Sequence, residues 1–219
     1  MDCHGIHIYQ GEVHGNEREY EDFWRVLEPY EQQHAALIGN PATRLRYVEI
    51  HARLRMLLAT TINSIPEQLR ILKGEYGKPY LADYPELAFN LSHTAKKHVI
   101  VTGINQELGV DIEACKPRTT LPALVEKCFA EEEQNYWRLL PEQEKADAFY
   151  RFWTRKEAFV KAVGRGIALG LNQCVINPED HNRFLRLPSG YGQPDTWQIQ
   201  KIDVGKGYCA AYAARSLIR

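Results

Sequence analysis

Asp111 and Glu113 stand one residue apart in Gly109-Val110-Asp111-Ile112-Glu113. On a β-strand they project to one side while Val110 and Ile112 project to the other, toward a core. Two carboxylates held side by side repel unless a cation lies between them. Hard oxygen donors on a rigid strand suit Mg²⁺, which takes one or two carboxylates and fills its shell with water and substrate phosphate. The same spacing also describes a strand face open to solvent. A second group lies in Phe152–Gly166, read as one amphipathic helix closed by Gly164 and Gly166. At about 100° per residue, Phe149, Phe152, Trp153, Phe159, Val160 and Val163 share an arc. Glu157 and Lys161 lie on its rim, and Lys156 falls inside it. An unpaired buried ammonium is costly, so Lys156 must reach solvent or meet an anion. This pattern lines a site for an anion and a metal, or forms an ordinary Glu–Lys support on a core helix.

Three further stretches carry polar chemistry. Ser92-His93 ends a strand; adjacent strand residues point apart, so the two are no nucleophile–base pair, and His93 is better placed for phosphate. Arg44, Arg46, Arg53 and Arg55 place four cations within twelve residues, with His51 among them. They form a solvated helix face, or one or two of them reach a phosphate. Tyr76-Gly77-Lys78-Pro79 reads as an extended loop or turn whose backbone is available to a ligand. Gly164-Arg165-Gly166 follows a helix and lacks the ending of a phosphate-binding Walker loop.

The elements that must hold these residues follow from periodicity. A first strand is expected over 6–13. Helices are expected over 17–38, kinked or split at Pro29, and over 42–62. An antiparallel meander is expected from 87–91, 99–104 and 108–114, then a helix over 121–140 with an acidic run at Glu131, Glu132 and Glu133. A hairpin of 196–204 and 207–214 closes the chain. The 219 residues suffice for one large domain or two small lobes, and the formal net charge of -1 argues against a general nucleic-acid or membrane-surface role. No apolar run approaches the about 18 residues of a membrane span. The five cysteines (Cys3, Cys115, Cys128, Cys174, Cys209) are widely spaced and contain no C-x-x-C, which predicts neither a disulfide framework nor a zinc site, and suits a cytoplasmic protein.

Four stretches, in this order, resemble the Sfp-type 4′-phosphopantetheinyl transferases: Tyr76-Gly77-Lys78-Pro79, Phe89-Asn90-Leu91-Ser92-His93, Gly109-Val110-Asp111-Ile112-Glu113, and Trp153-x-x-Lys156-Glu157-Ala158-x-x-Lys161-Ala162-x-Gly164. The resemblance covers about residues 44 to 170. It implies an α/β fold of two similar lobes related by a pseudo-twofold, each a small antiparallel sheet packed with helices. The lobes would be 1–105 and 106–219, with coenzyme A in the cleft of a monomer. It implies transfer of the phosphopantetheine arm of coenzyme A to a serine of an apo carrier protein, releasing adenosine 3′,5′-bisphosphate. Asp111, Glu113 and Glu157 would hold Mg²⁺, with Mn²⁺ as a substitute. Glu157 or a metal-bound water would take the serine proton, and Lys161, with Lys156 beside it, would steady charge on the phosphate. Tyr76, Gly77, Lys78 and Pro79 would meet the adenine, and Ser92, His93, Asp111 and Lys161 the coenzyme's phosphates. The 3′-phosphate would fall to one of Arg44, Arg46, His51, Arg53 and Arg55, of which Arg46 and Arg53 are favoured. The carrier would dock near 115–129, on Lys116, Arg118 and Lys127 with Leu121, Leu124 and Phe129 as apolar anchors, or that stretch is simply a linker and a packed helix. Two other functions compete: a non-catalytic module binding coenzyme A or a carrier, and a Mg²⁺-dependent nucleotide phosphodiesterase.

Overall fold

Short strands and three successive helices recur twice along the chain, and the second run repeats the element order of the first. The computed structural model describes residues 5–217. The first run is β1 (His7–Glu12), α1 (Tyr20–Arg25), α2 (Pro29–Leu37), α3 (Pro41–Ile62), β2 (Ile71–Lys73), β3 (Pro79–Leu81), β4 (Leu87–His93) and β5 (Lys97–Ile104). The second is β6 (Gln106–Ala114), α4 (Leu121–Cys128), α5 (Glu131–Leu139), α6 (Glu142–Ala162), β7 (Val175–Ile176), β8 (Phe184–Arg186), β9 (Gln198–Ile202) and β10 (Tyr208–Ser216). Each run forms a three-stranded antiparallel sheet, ordered β1-β5-β4 and β6-β10-β9, plus a two-stranded ribbon, β2-β3 and β7-β8. This is the α/β architecture of two similar lobes that the family resemblance implies.

Local sequence explains the helix bounds. The Asn40 side chain accepts from Thr43 N, Pro41 opens α3, and Asn63 closes it in the left-handed region at φ 52. Gly164, at φ 71, closes α6, where Gly164 N donates to Lys161 O and Arg165 N to Val160 O. Pro29 starts α2 and so splits the expected 17–38 helix. The expected 121–140 helix is also two. Phe129 and Ala130 take extended backbone, which drops the Phe129 ring into the core at 1% exposure.

The expected meander is corrected. β4 and β5 pair, but after Asn105, in the left-handed region at φ 51, β6 enters the other sheet and pairs along its length with β10. Alternate N–H groups of an antiparallel edge strand face away from its partner and need acceptors. On β6 the side chains of β4 supply them: Asn90 Oδ1 accepts from Val110 N at 2.9 Å, and Ser92 Oγ from Ile112 N at 3.3 Å. Ile6, Val99, Val101, Leu108, Val110, Ile112, Ile202 and Tyr212 form one buried cluster, so the core runs between the two sheets. On the other side of β6 lies α6. A Cβ at Gly109 would sit 2.2 Å from Ala158 O and 2.4 Å from Ala162 N, so helix and strand touch backbone to backbone.

Candidate functional site

Ser92, Asp111 and Lys161 come from three elements and meet at one point. Ser92 Oγ donates to Asp111 Oδ1 at 2.9 Å, and Lys161 Nζ lies 2.6 Å from that oxygen and 3.1 Å from Ser92 Oγ. Lys161 therefore reaches from α6 across to β4 and β6 rather than along its own helix. Glu113 and Glu157 join Ser92, Asp111 and Lys161 around a cavity of about 440 Å³, together with Leu91, His93, Ile112 and Trp153. Leu91 and His93 also line a second cavity of about 720 Å³, which runs past Asn90 to Gly77, Pro79, Tyr47 and His51. The two form a cleft from the strand carboxylates to the ribbon turn.

The electrostatics of the smaller cavity favour a cation. Burial pushes Glu157 up to about 7; the Asp111 and Glu113 charges add to this, and Lys161 opposes it. Burial and Asp111 also raise Glu113, against Arg118, Lys161 and a hydrogen bond from Trp153. Asp111 Oδ2 and Glu157 Oε1 are buried with no hydrogen-bond partner. Orphaned carboxylate oxygens beside further carboxylates fit a hard divalent ion. Among the described residues, no three acidic, His or Cys side chains are already closed around an ion position. Lys161 engages Asp111 instead. Burial lowers His93, and the nearby His51, Lys161 and Arg46 push it the same way, so its ring sits in a positive field suited to phosphate.

Other expected residues lie elsewhere. Lys156 is fully buried and faces away from the cleft. Its Nζ lies 2.7 Å from Glu133 Oε2 and donates to Leu171 O at 2.8 Å and Cys174 O at 2.7 Å. The acidic run supplies the anion that the buried lysine needed, and Lys156 takes no place at the site. Arg53 pairs with Glu49 at 3.0 Å, one helical turn away, and packs over Phe23. Arg46 bonds Thr43, and Arg55 is buried against Glu31 and Glu28. None of these arginines lines either cavity, whereas His51 does, stacked on Tyr47 and 3.4 Å from Glu31. In the ribbon turn, Gly77 and Pro79 face the larger cavity. Lys78 instead donates to Ala162 O at 2.5 Å, its stem against Gly164, and burial lowers it to about 8. Tyr76 is exposed beneath the Arg165 guanidinium. Leu121 and Phe129 belong to the core and cannot anchor a partner; Lys116, Arg118 and Lys127 are exposed and Leu124 half-exposed. Sequence reasoning gave Asn90 and Trp153 no place at the site, although both stand in its motifs. Asn90 shares the face of Ser92 two residues on, and Trp153 lies one turn before Glu157, which were the available signals.

Comparison with known proteins places the chain in a family. Residues 107–213 match the 4′-phosphopantetheinyl transferase superfamily. The chain is 34% identical to the putative 4′-phosphopantetheinyl transferase slr0495 of Synechocystis, over 80% of this chain and 71% of the relative. It is 31% identical to the 4′-phosphopantetheinyl transferase HetI of Nostoc, over 84% and 79%. It is 26% identical to the 4′-phosphopantetheinyl transferase Sfp of Bacillus subtilis, over 90% and 88%. No described helix is long and apolar enough to cross a membrane. The chain belongs to the 4′-phosphopantetheinyl transferase superfamily and is an enzyme of that family.

Proposed function

We propose that this enzyme moves the phosphopantetheine arm of coenzyme A onto a serine hydroxyl of an apo carrier protein and releases adenosine 3′,5′-bisphosphate. The observation that carries this reading is the convergence of Ser92, Asp111, Glu113, Glu157 and Lys161 on one cavity that opens, past His93, into the cavity under Gly77 and Pro79. The larger cavity suits the nucleotide end of the coenzyme, the smaller one its pyrophosphate. His51 replaces Arg46 and Arg53 as the favoured partner of the 3′-phosphate, because it lines the larger cavity.

In the reaction the serine oxygen bonds to the phosphorus carrying the arm, the pyrophosphate P–O bond breaks, and the serine proton must leave. Catalysis of such a displacement is mostly positioning and charge stabilisation. Asp111, Glu113 and Glu157 would hold Mg²⁺, or Mn²⁺ in its place, which supplies charge neutralisation at the pyrophosphate. Glu157 would take the serine proton: burial and its acidic neighbours raise its carboxyl in the metal-free site, and a bound cation would keep it ionised and able to accept. Lys161 holds an ammonium where negative charge grows. Ser92 would fix Asp111 and Lys161 relative to each other through its hydrogen bonds to both. The exposed Lys116, Arg118 and Lys127 of 115–129 would receive an acidic carrier surface. Because both lobes, divided near residue 105, build the cleft, one chain suffices and the enzyme would act as a monomer in the cytoplasm.

The test is to incubate the protein with coenzyme A, Mg²⁺ and a panel of apo carriers. Each accepted carrier should gain the mass of one phosphopantetheine arm on serine. Cleavage of coenzyme A to the bisphosphate without carrier modification would favour the phosphodiesterase reading.

A further inference from the structure

The described cysteines are not equivalent. Cys174 is buried and its thiol donates to Leu171 O at 3.2 Å, and Cys128 is half-buried on α4. Cys115 and Cys209 are half-buried and lie side by side, Sγ to Sγ 2.7 Å. Cys115 follows the last residue of β6, and Cys209 is the second residue of β10. The ladder between these strands fixes the pair: Cys209 lies opposite Glu113, and Cys115 N donates to Gly207 O at 2.9 Å. Unbonded sulfurs do not normally approach so closely, and a disulfide at about 2.05 Å needs only a short contraction. Both side chains are open enough for a small oxidant to reach. The wide sequence spacing hid this pair; the strand pairing creates it.

We propose that Cys115 and Cys209 form a peroxide-oxidisable dithiol whose disulfide tethers the start of the 115–129 segment to β10. One thiol sulfur attacks a peroxide oxygen, the O–O bond breaks, and an alcohol or water leaves with its proton, giving a sulfenic acid. The second thiol sulfur attacks that sulfur, the S–S bond forms, and water leaves carrying the second thiol's proton. The sulfurs together lose two electrons and the peroxide gains two. A small dithiol reverses the step by exchange. The cross-link also joins residues far apart in sequence, which restricts the unfolded chain. In the reduced protein the segment is held nearby by Tyr150, whose hydroxyl donates to Lys116 O at 2.9 Å. The disulfide adds a tether at Cys115 itself, so Lys116 and Arg118 lose freedom to adjust to a partner.

The full-length protein, treated with hydrogen peroxide and digested without reductant, should yield a peptide joining Cys115 to Cys209. The oxidised protein should show a raised Tm that dithiothreitol removes. Cys209→Ser and Cys209→Ala should abolish both signals, and Cys128→Ser should abolish neither. Absence of the joined peptide from wild type, or its persistence without a Tm shift, overturns the tether. The effect on docking rests on the proposed transferase reading: oxidation should raise the carrier KM several-fold and leave the coenzyme A KM unchanged. An unchanged carrier KM in fully cross-linked protein overturns that effect. The peptide map decides the disulfide whether or not the transferase reading holds.

Discussion

The two lobes hold their long helices with the same device. In the first, Arg55 of α3 pairs with Glu31, near the start of α2, and donates to Pro66 O and Leu69 O in the segment beyond its helix. In the second, Lys156 of α6 pairs with Glu133, near the start of α5, and donates to Leu171 O and Cys174 O beyond its helix. Each glutamate also accepts from the backbone N–H three residues before it, Glu28 N or Ala130 N. One carboxylate thus caps a short helix and neutralises a cation buried on the next. The lobes diverge one residue further along. Arg55 is followed by Met56, 46% exposed, whereas Lys156 is followed by Glu157, 9% exposed and facing the cleft. Five residues past the anchor stand Thr60, whose hydroxyl donates to its own helix at Met56 O, and Lys161, which reaches Asp111. The repeated scaffold thus presents cleft-facing charge at these two places on one copy only.

The largest expected effect comes from removing an anchor. Lys156→Met leaves Glu133 buried without its partner and should cost about 3–5 kcal/mol by denaturant unfolding. Arg55→Met should cost less, because Glu31 keeps His51 at 3.4 Å and Glu28, 31% exposed, can turn to water. A Lys156→Met protein of native stability but no turnover would break the comparison and return Lys156 to the site. Next, Glu157→Gln should lower turnover about 10²–10⁴-fold without loss of fold. Met56→Gln, at the matching place in the other lobe, should leave turnover unchanged. A loss shared by both would show that position to be structural.

The third prediction concerns pH. Glu157 binds its proton more tightly when folded, about 7 against a usual 4.5. Between those values the folded state holds more protons than the unfolded one, so stability falls as pH rises through the window. Thermal unfolding without divalent metal should show this slope, and Glu157→Gln should flatten it. Mg²⁺ affinity should rise over the same range as the competing proton leaves; a pH-independent affinity would remove Glu157 from the ligand set. The smallest effect separates two residues of α3: His51→Ala should raise the coenzyme A KM several-fold, and Arg53→Ala should leave it nearly unchanged. The reverse order would restore Arg53 as the phosphate partner.

The strand carboxylates and the Glu157–Lys161 spacing were legible because alternation and helical period depend on local backbone geometry alone. The identity of the cation's partner was not. Lys156 lies inside the apolar arc of α6 and Lys161 on its rim, and only the tertiary placement of α5 and β6 decides that Glu133 takes the first and Asp111 the second. The basic run of α3 failed in part for the same reason, since Glu31 reaches Arg55 from 24 residues away; the Arg53–Glu49 pair, one helical turn apart, lay within reach of helical period and was not read. The departure of β6 from the meander depended on Asn90 and Ser92 completing its edge, a pairing of side chain with backbone that carries no period.

Gly109 sets a tolerance for the whole site. Asp111 is two residues beyond it on β6, and Glu157 and Lys161 flank the turn of α6 that rests on it. Because main chain meets main chain there, the gap between the carboxylate strand and α6 is set like a machined seat rather than by side-chain padding. Sequence drift in the surrounding core can change stability while the seat keeps its height. A methyl group at position 109 would act as a shim between β6 and α6, parting Asp111 from Glu157.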